Sequence, residues 1–138
     1  MIKAYIDAST KGNPGPSGGG IVLVGDNLYL QKTVILSTLT NHQAEFAVLL
    51  ALLEYLIQKE KTQETIFIFT DSKILAETIE KDYTKNKDFI DYLTKIQELL
   101  TLFKLVIVQW IPENKNKGAD HLARQALQKS LKLQNRRQ

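Results

Sequence analysis

Apolar and polar positions alternate with changing period along this chain, and each change marks an element. Residues 2–8 (IKAYIDA) alternate with the two-residue period of a half-buried strand. The glycine- and proline-rich stretch from Thr10 to Gly20 then predicts a loop. Residues 20–24 and 28–36 predict two strands hinged at Gly25-Asp26-Asn27, a hairpin signal. Residues 43–59 predict a helix: Gln43, Glu54 and Gln58 fall on one side, and Val48, Leu49, Leu52 and Leu56 on the other. Residues 65–70 (TIFIFT) have the length and β-rich content of a buried strand. Two helices follow over 72–82 and 88–102, parted by Thr84-Lys85-Asn86-Lys87. Residues 104–111 (KLVIVQWI) predict a last strand, 112–117 a polar loop, and 118–133 a closing helix.

This order predicts an α/β chain with a five-stranded mixed sheet and helices on both faces. The early meander implies antiparallel pairing, and the later strand–helix–strand units imply parallel pairing with right-handed crossovers. With no repeat and no linker, residues 1–138 are expected to form a single domain.

Composition narrows the classes. No run of about 18 apolar residues predicts a membrane span. The opening MIKAYIDAST lacks the basic start, apolar stretch and small-residue cleavage site of a secretory leader. Cysteine is absent, so disulfide and thiolate chemistry are excluded and a cytoplasmic location is expected. The net charge of +3 permits a polyanionic partner without demanding one. Its distribution says more: Arg124, Lys129, Lys132, Arg136 and Arg137 follow Asp120 with no acidic residue among them. Either nucleic-acid contact or a solubilising helix end, where basic residues are favoured, accounts for that.

Four carboxylates stand where chemistry is done. Asp7 falls at the end of the first predicted strand, on the face of Tyr5, and Asp71 directly follows TIFIFT, at the strand ends where open α/β sheets bind ligands. Each also has a plainer reading, a turn-initiating carboxylate for Asp7 and a helix cap for Asp71. Glu45 lies on the apolar side of its helix, which is costly unless it is paired, bound to metal, or reaches solvent from the first turn. Asp120 borders the stripe of Ala119, Leu122, Ala123, Ala126, Leu127 and Leu131, where the helix dipole alone would favour an acid. Clustered without a cation, the four would repel one another. Hard divalent ions with oxygen ligands resolve that repulsion, and Mg²⁺ suits carboxylates that share it with water and phosphate. With no cysteine, and with His42 and His121 far apart in sequence, zinc is not expected.

From about Lys3 to Leu127 the chain resembles the type 1 ribonuclease H family, in particular short bacterial forms without a basic protrusion. Tyr5-Ile6-Asp7-Ala8-Ser9 with Gly12-Asn13-Pro14-Gly15-Pro16 resembles the family's first strand and loop. Thr40-Asn41-His42-Gln43-Ala44-Glu45 resembles the stretch leading to its helical glutamate. Thr70-Asp71-Ser72 and Asn116-Lys117-Gly118-Ala119-Asp120 are similar to its third and fourth acidic motifs. The resemblance implies a ribonuclease H-like fold and hydrolysis of the RNA strand of an RNA–DNA hybrid, leaving a 5′-phosphate and a 3′-hydroxyl. It implies two Mg²⁺ ions, with Mn²⁺ as a substitute. Asp7 would bridge both ions, Glu45 and Asp71 would hold the one near the leaving group, and Asp120 with Asp7 the one that activates water. Asn13, Asn41 and Gln43, with the Gly12–Gly15 loop, would meet the minor groove, where 2′-hydroxyls distinguish RNA. Thr40, Asn41 and Ser72 would meet the DNA strand.

Two departures from the family pattern stand out. Residues 77–95, where many members carry a basic DNA-gripping helix, hold five acids, four bases and no Trp. No separate hybrid-binding domain is expected ahead of the first strand, so binding should be weak and shallow in its salt dependence. Residues 112–119 contain no histidine of the kind that assists product release, and Glu113 is the candidate substitute. The rival reading is a non-catalytic nucleic-acid-binding module of the same fold. Another nuclease of the superfamily is disfavoured by the GNPGP loop and the Thr40–Glu45 segment. No membrane and no obligate protein partner are expected.

Overall fold

The computed structural model describes residues 1–137; the Arg137 side chain, the end of the basic stretch, and Gln138 lie outside the described residues. Five strands, β1 (Ile2–Thr10), β2 (Gly15–Gly25), β3 (Leu28–Leu39), β4 (Thr65–Thr70) and β5 (Leu105–Trp110), form one sheet in the order β3-β2-β1-β4-β5. β1, β2 and β3 pair antiparallel, while β1 with β4 and β4 with β5 pair parallel. The mixed sheet of the sequence reading is therefore present. Helices α1 (Asn41–Gln58), α2 (Lys73–Lys81) and α3 (Lys87–Leu100) share one core with the sheet, built on Ile2, Ala4, Ile6, Ile66 and Ile68 against Phe46, Leu49, Leu52, Leu75, Phe89 and Ile96. The last helix, α4 (Lys117–Arg137), covers the other face of β1, β2 and β3. Among the described residues no helix is long and apolar enough to cross a membrane.

The structure corrects two expectations. First, the predicted loop over Thr10–Gly20 is shorter: β2 starts at Gly15, and Gly18, Gly19 and Gly20 pair with Ser9, Ala8 and Asp7. These glycines admit helices rather than turns. A Cβ on Gly18 or Gly20 would collide with the backbone of α4, and one on Gly19 with Val48 of α1. Glycine in a strand often marks such close approach. Second, Asp7 does not end its strand. β1 runs on to Thr10 beside β2, whereas its parallel neighbour β4 stops where Thr70 meets Ile6. Asp7 is thus the first β1 residue beyond the end of β4.

Candidate active site

That register sets two carboxylates side by side. Ile6 pairs with Thr70, so Asp7 and Asp71 follow at adjacent positions, and Tyr5 and Phe69 stack at 4.9 Å two residues before them on the two strands. Ser72, not Asp71, caps α2, its hydroxyl accepting from Leu75 N at 3.1 Å, which leaves the Asp71 carboxylate free of cap duty. Burial pushes the Asp7 carboxyl up to about 8, with the charges of Asp71 and Asp120 adding to it. Burial also raises Asp71, as do Glu113 and Asp120, while the Asn116 amide opposes the shift.

The other two acids arrive from helices. Thr40 and Gln43 close a capping box at the start of α1, and because the helix begins at Asn41, Glu45 lies just past its first turn, with 13% of its side chain exposed. Ser72 donates its hydroxyl to Glu45 Oε2, and His42 Nδ1 approaches the same oxygen at 3.2 Å. Asp120, in the first turn of α4, pairs with Arg124 at 3.1 Å one turn on. Asp7, Glu45, Asp71 and Asp120 all line one cleft of about 250 Å³, together with Ala8, Asn41 and Glu113. The cleft wall thus carries five carboxylates and no lysine or arginine.

Such a donor set fits hard divalent cations: every charged group is a carboxylate, and burial, with the charges of Asp71 and Asp120 adding to it, holds the Asp7 carboxyl up in their absence. Among the described residues no three acids or imidazoles are yet drawn into a closed ligand set. The reason is visible in their partners, since Glu45 is turned to Ser72 and His42, and Asp120 to Arg124.

The residues expected to touch nucleic acid divide. Asn13 and Asn41 are exposed beside the cleft and joined, Asn13 Oδ1 accepting from Asn41 N at 3.1 Å, and Gly12 turns the loop with φ +88°. Thr40 and Gln43 are engaged with each other: Thr40 Oγ1 accepts from Gln43 N, and Gln43 Oε1 accepts from Thr40 N. Gly15 is buried, and a side chain there would strike the Lys11 carbonyl, so it shapes the loop rather than offering a surface. Ser72 is 6% exposed with its hydroxyl turned inward to Glu45, where it holds that acid.

Sequence reasoning assigns no role to two residues of the site. Asn116 is 1% exposed; its Nδ2 donates to the Ile6 carbonyl at 2.8 Å and lies 3.4 Å from Asp71 Oδ2, and its own carbonyl accepts from Asp120 N. The side-chain amide thereby ties the strand of Asp7 to the carboxylate of Asp71, and the backbone carbonyl joins the helix of Asp120. Its Oδ1 has no partner. His42 lies against Glu45, edge-on to Phe89.

Residues 5–126 match a protein family described as Reverse transcriptase-like. Over 129 residues the chain is 50% identical to EbsB of Enterococcus faecalis, provisionally called a hydrolase, covering 94% of this chain and 96% of that protein. It is 32% identical to Ribonuclease HI of Halobacterium salinarum, over 91% of this chain but 64% of the relative. The bifunctional protein Rv2228c of Mycobacterium tuberculosis is 28% identical, and the chain spans 34% of its length. Among solved structures, RNase H1 of Halobacterium salinarum superposes with a TM-score of 0.83 at 31% identity, covering 93% of this chain and 98% of that one. LC11-RNase H1 in complex with an RNA/DNA hybrid gives 0.86 at 26% identity, covering 95% and 99%.

Proposed function

The chain belongs to the ribonuclease H family, and we propose that it is an endonuclease that hydrolyses the RNA strand of RNA–DNA hybrids. The cleft lined by Asp7, Glu45, Asp71, Glu113 and Asp120 carries this reading, because five carboxylates around one space call for cations, and paired divalent cations suit hydrolysis of a phosphodiester. Two Mg²⁺ ions, or Mn²⁺ in their place, would be held by Asp7 with Asp120 and by Asp7 with Glu45 and Asp71. When bound, they supply the charge that favours an ionised water and a departing oxygenate.

The chain's own groups do the rest. Asp7, with its carboxyl pushed up to about 8, holds a proton at neutral pH in the metal-free protein, and must release it to become a ligand. Asn116 steadies Asp71, and Ser72 and His42 steady Glu45. Asn13 and Asn41 present amides at the cleft mouth, where ribose 2′-hydroxyls of the minor groove would be read. Water oxygen adds to phosphorus, the bond from phosphorus to the 3′-oxygen breaks, and that oxygen takes a proton, leaving a 5′-phosphate and a 3′-hydroxyl. Glu113, on the cleft wall and close enough to raise Asp71, is the group to exchange a proton with departing product. A cysteine-free chain suits the cytoplasm proposed for it.

The test is cleavage of an end-labelled hybrid in Mg²⁺ or Mn²⁺, with Asp71→Asn as control and duplex DNA and duplex RNA as competitors. Wild type should cut only the hybrid's RNA strand, and Asp71→Asn should bind without cutting. A wild-type protein that binds hybrid and never cuts it establishes the non-catalytic module instead.

A further inference from the structure

The cleft is wholly anionic, and the α2–α3 region that could flank it is close to neutral, so a polyanion needs cations elsewhere. The fold gathers them on one ledge. Beyond Asp120, α4 carries Arg124, Lys129, Lys132 and Arg136, and neither that part of α4 nor β3 contains an acidic residue. Lys129, Lys132 and Arg136 are exposed and rim a groove of about 280 Å³ between α4 and β3, floored by Ile35 and Leu133. Lys129 is held across the two elements, its Nζ donating to Thr33 Oγ1 at 3.0 Å. A second groove of about 450 Å³ continues along Ile35–Thr38, with Ser130 and Gln134 opposite.

This ledge adjoins the cleft. β3 ends at Leu39, and Thr40 and Asn41 follow directly, Asn41 lining the cleft. Gly15 pairs with Leu39, and Asn13 bonds Asn41, so the Gly12–Gly15 loop sits at the same end of the sheet. From Asp120 in the cleft to Arg136, α4 runs about 24 Å at ~1.5 Å per residue. That spans about seven nucleotides of a duplex strand at ~3.4 Å each.

We propose that Lys129, Lys132 and Arg136 form a phosphate-binding ledge for the duplex flank of the hybrid, several base pairs from the cut site. The charge complementarity, the neighbouring hydroxyls of Ser37 and Thr38 and the continuity with Asn41 favour a nucleic-acid backbone over a protein partner. The ledge deepens the hydrolase reading and rests on it.

The decisive measurement is anisotropy binding in the Asp71→Asn background, with and without Lys129→Gln/Lys132→Gln/Arg136→Gln, on hybrids of about 8 and about 24 base pairs over a range of salt. A hybrid of ~8 pairs centred on the cleft extends only about 14 Å to either side and falls short of Arg136, whereas one of ~24 pairs reaches it. On the long hybrid the triple change should lower the slope of log affinity against log salt by about 2.7, at ~0.9 for each phosphate contact. On the short hybrid, which reaches as far as Lys129 but neither Lys132 nor Arg136, the slope should fall by ~0.9 at most. A Lys129→Arg/Lys132→Arg/Arg136→Lys protein should behave as its parent. An unchanged slope on the long hybrid, or an equal loss on both lengths, overturns the ledge. So does a change in oligomeric state on gel filtration, which makes this face an interface between copies. Cleavage by the Asp71-intact enzyme is scored separately: cutting with length-independent binding removes the ledge alone, and length-dependent binding without cutting removes the hydrolase alone.

Discussion

Replacing Asp7 by Asn should stabilise the metal-free protein at neutral pH, although Asp7 stands at the centre of the site. The native carboxyl titrates near 8 and the unfolded one near 3.8. Between those values the native state keeps a proton that the unfolded state has lost. Stability is therefore fullest below about pH 4 and falls as pH rises toward 8. At about 1.4 kcal/mol for each pH unit, the interval from 3.8 to 7 corresponds to a ceiling of ~4 kcal/mol. Water entering the open cleft screens part of it, so about 2 kcal/mol is the working expectation. For a chain of this length that is about 7 °C in Tm. Asn keeps the shape, and its Oδ1 can still accept from Ala8 N, as Asp7 does at 2.9 Å. Melting curves in chelator at pH 4, 6 and 8 should show wild type and Asp7→Asn together at pH 4 and the variant progressively higher above it. Added Mg²⁺ should raise wild type more than the variant, because ligand binding to the native state is what lifts Tm. A variant that melts no higher at pH 8 than wild type, or by the same margin at every pH, refutes the burial and crowding of charge that hold the Asp7 carboxyl up.

Four further changes test the supports. Ser72→Ala removes the α2 cap and the hydroxyl on Glu45; it should cost about 1 kcal/mol and shrink the Mg²⁺-induced rise in Tm, read by melting with and without the ion. Asn116→Ala strands the buried Ile6 carbonyl and releases Asp71; it should cost about 1–3 kcal/mol and lower kcat on hybrid more than it raises KM, read by steady-state kinetics. Gly20→Ala drives a methyl into the Ala119 carbonyl and should cost about 2–3 kcal/mol, whereas Gly118→Ala meets only Val22 Cγ2 at 3.6 Å and should melt within about 1 °C of wild type.

Periodicity located the five strands and the four α-helices, most sharply where an element buries one face. TIFIFT is buried at Ile66 and Ile68, and α1 buries Val48, Leu49, Leu52 and Leu56 on the side the pattern indicated. It failed at Gly15–Gly20 for a specific reason. A glycine run reads locally as backbone freedom, yet here its value is the missing side chain, and that is visible only once α1 and α4 press on the strand from both faces. Likewise the alternation in residues 2–8 showed where β1 faces the core, but not that β4 would stop short beside it and open the space at Asp7.

The candidate site was legible to the degree that its chemistry resides in charge. An acid at a strand end, an acid on an apolar helix face and an acid in a first helical turn each break a local rule, and breaks of that kind concentrate where function is built. Groups that obey every local rule leave no such trace. Ser72 is an ordinary N-cap, and its second bond, to Glu45, joins residues 27 apart in the chain. Asn116 sits in a polar loop where asparagine is unexceptional, and the bond that defines it spans 110 residues to Ile6. Its unpartnered Oδ1 is the trace it does leave, but only in three dimensions. A buried acceptor left open in a site that already holds surplus negative charge is tolerated because the same side chain's donor is needed twice, by Ile6 and by Asp71. An aspartate of equal size would keep the acceptors, lose both donors and add a further negative charge beside Asp71. The amide is therefore the side chain of that shape that can hold β1 and Asp71 together without deepening the repulsion that the cleft already carries.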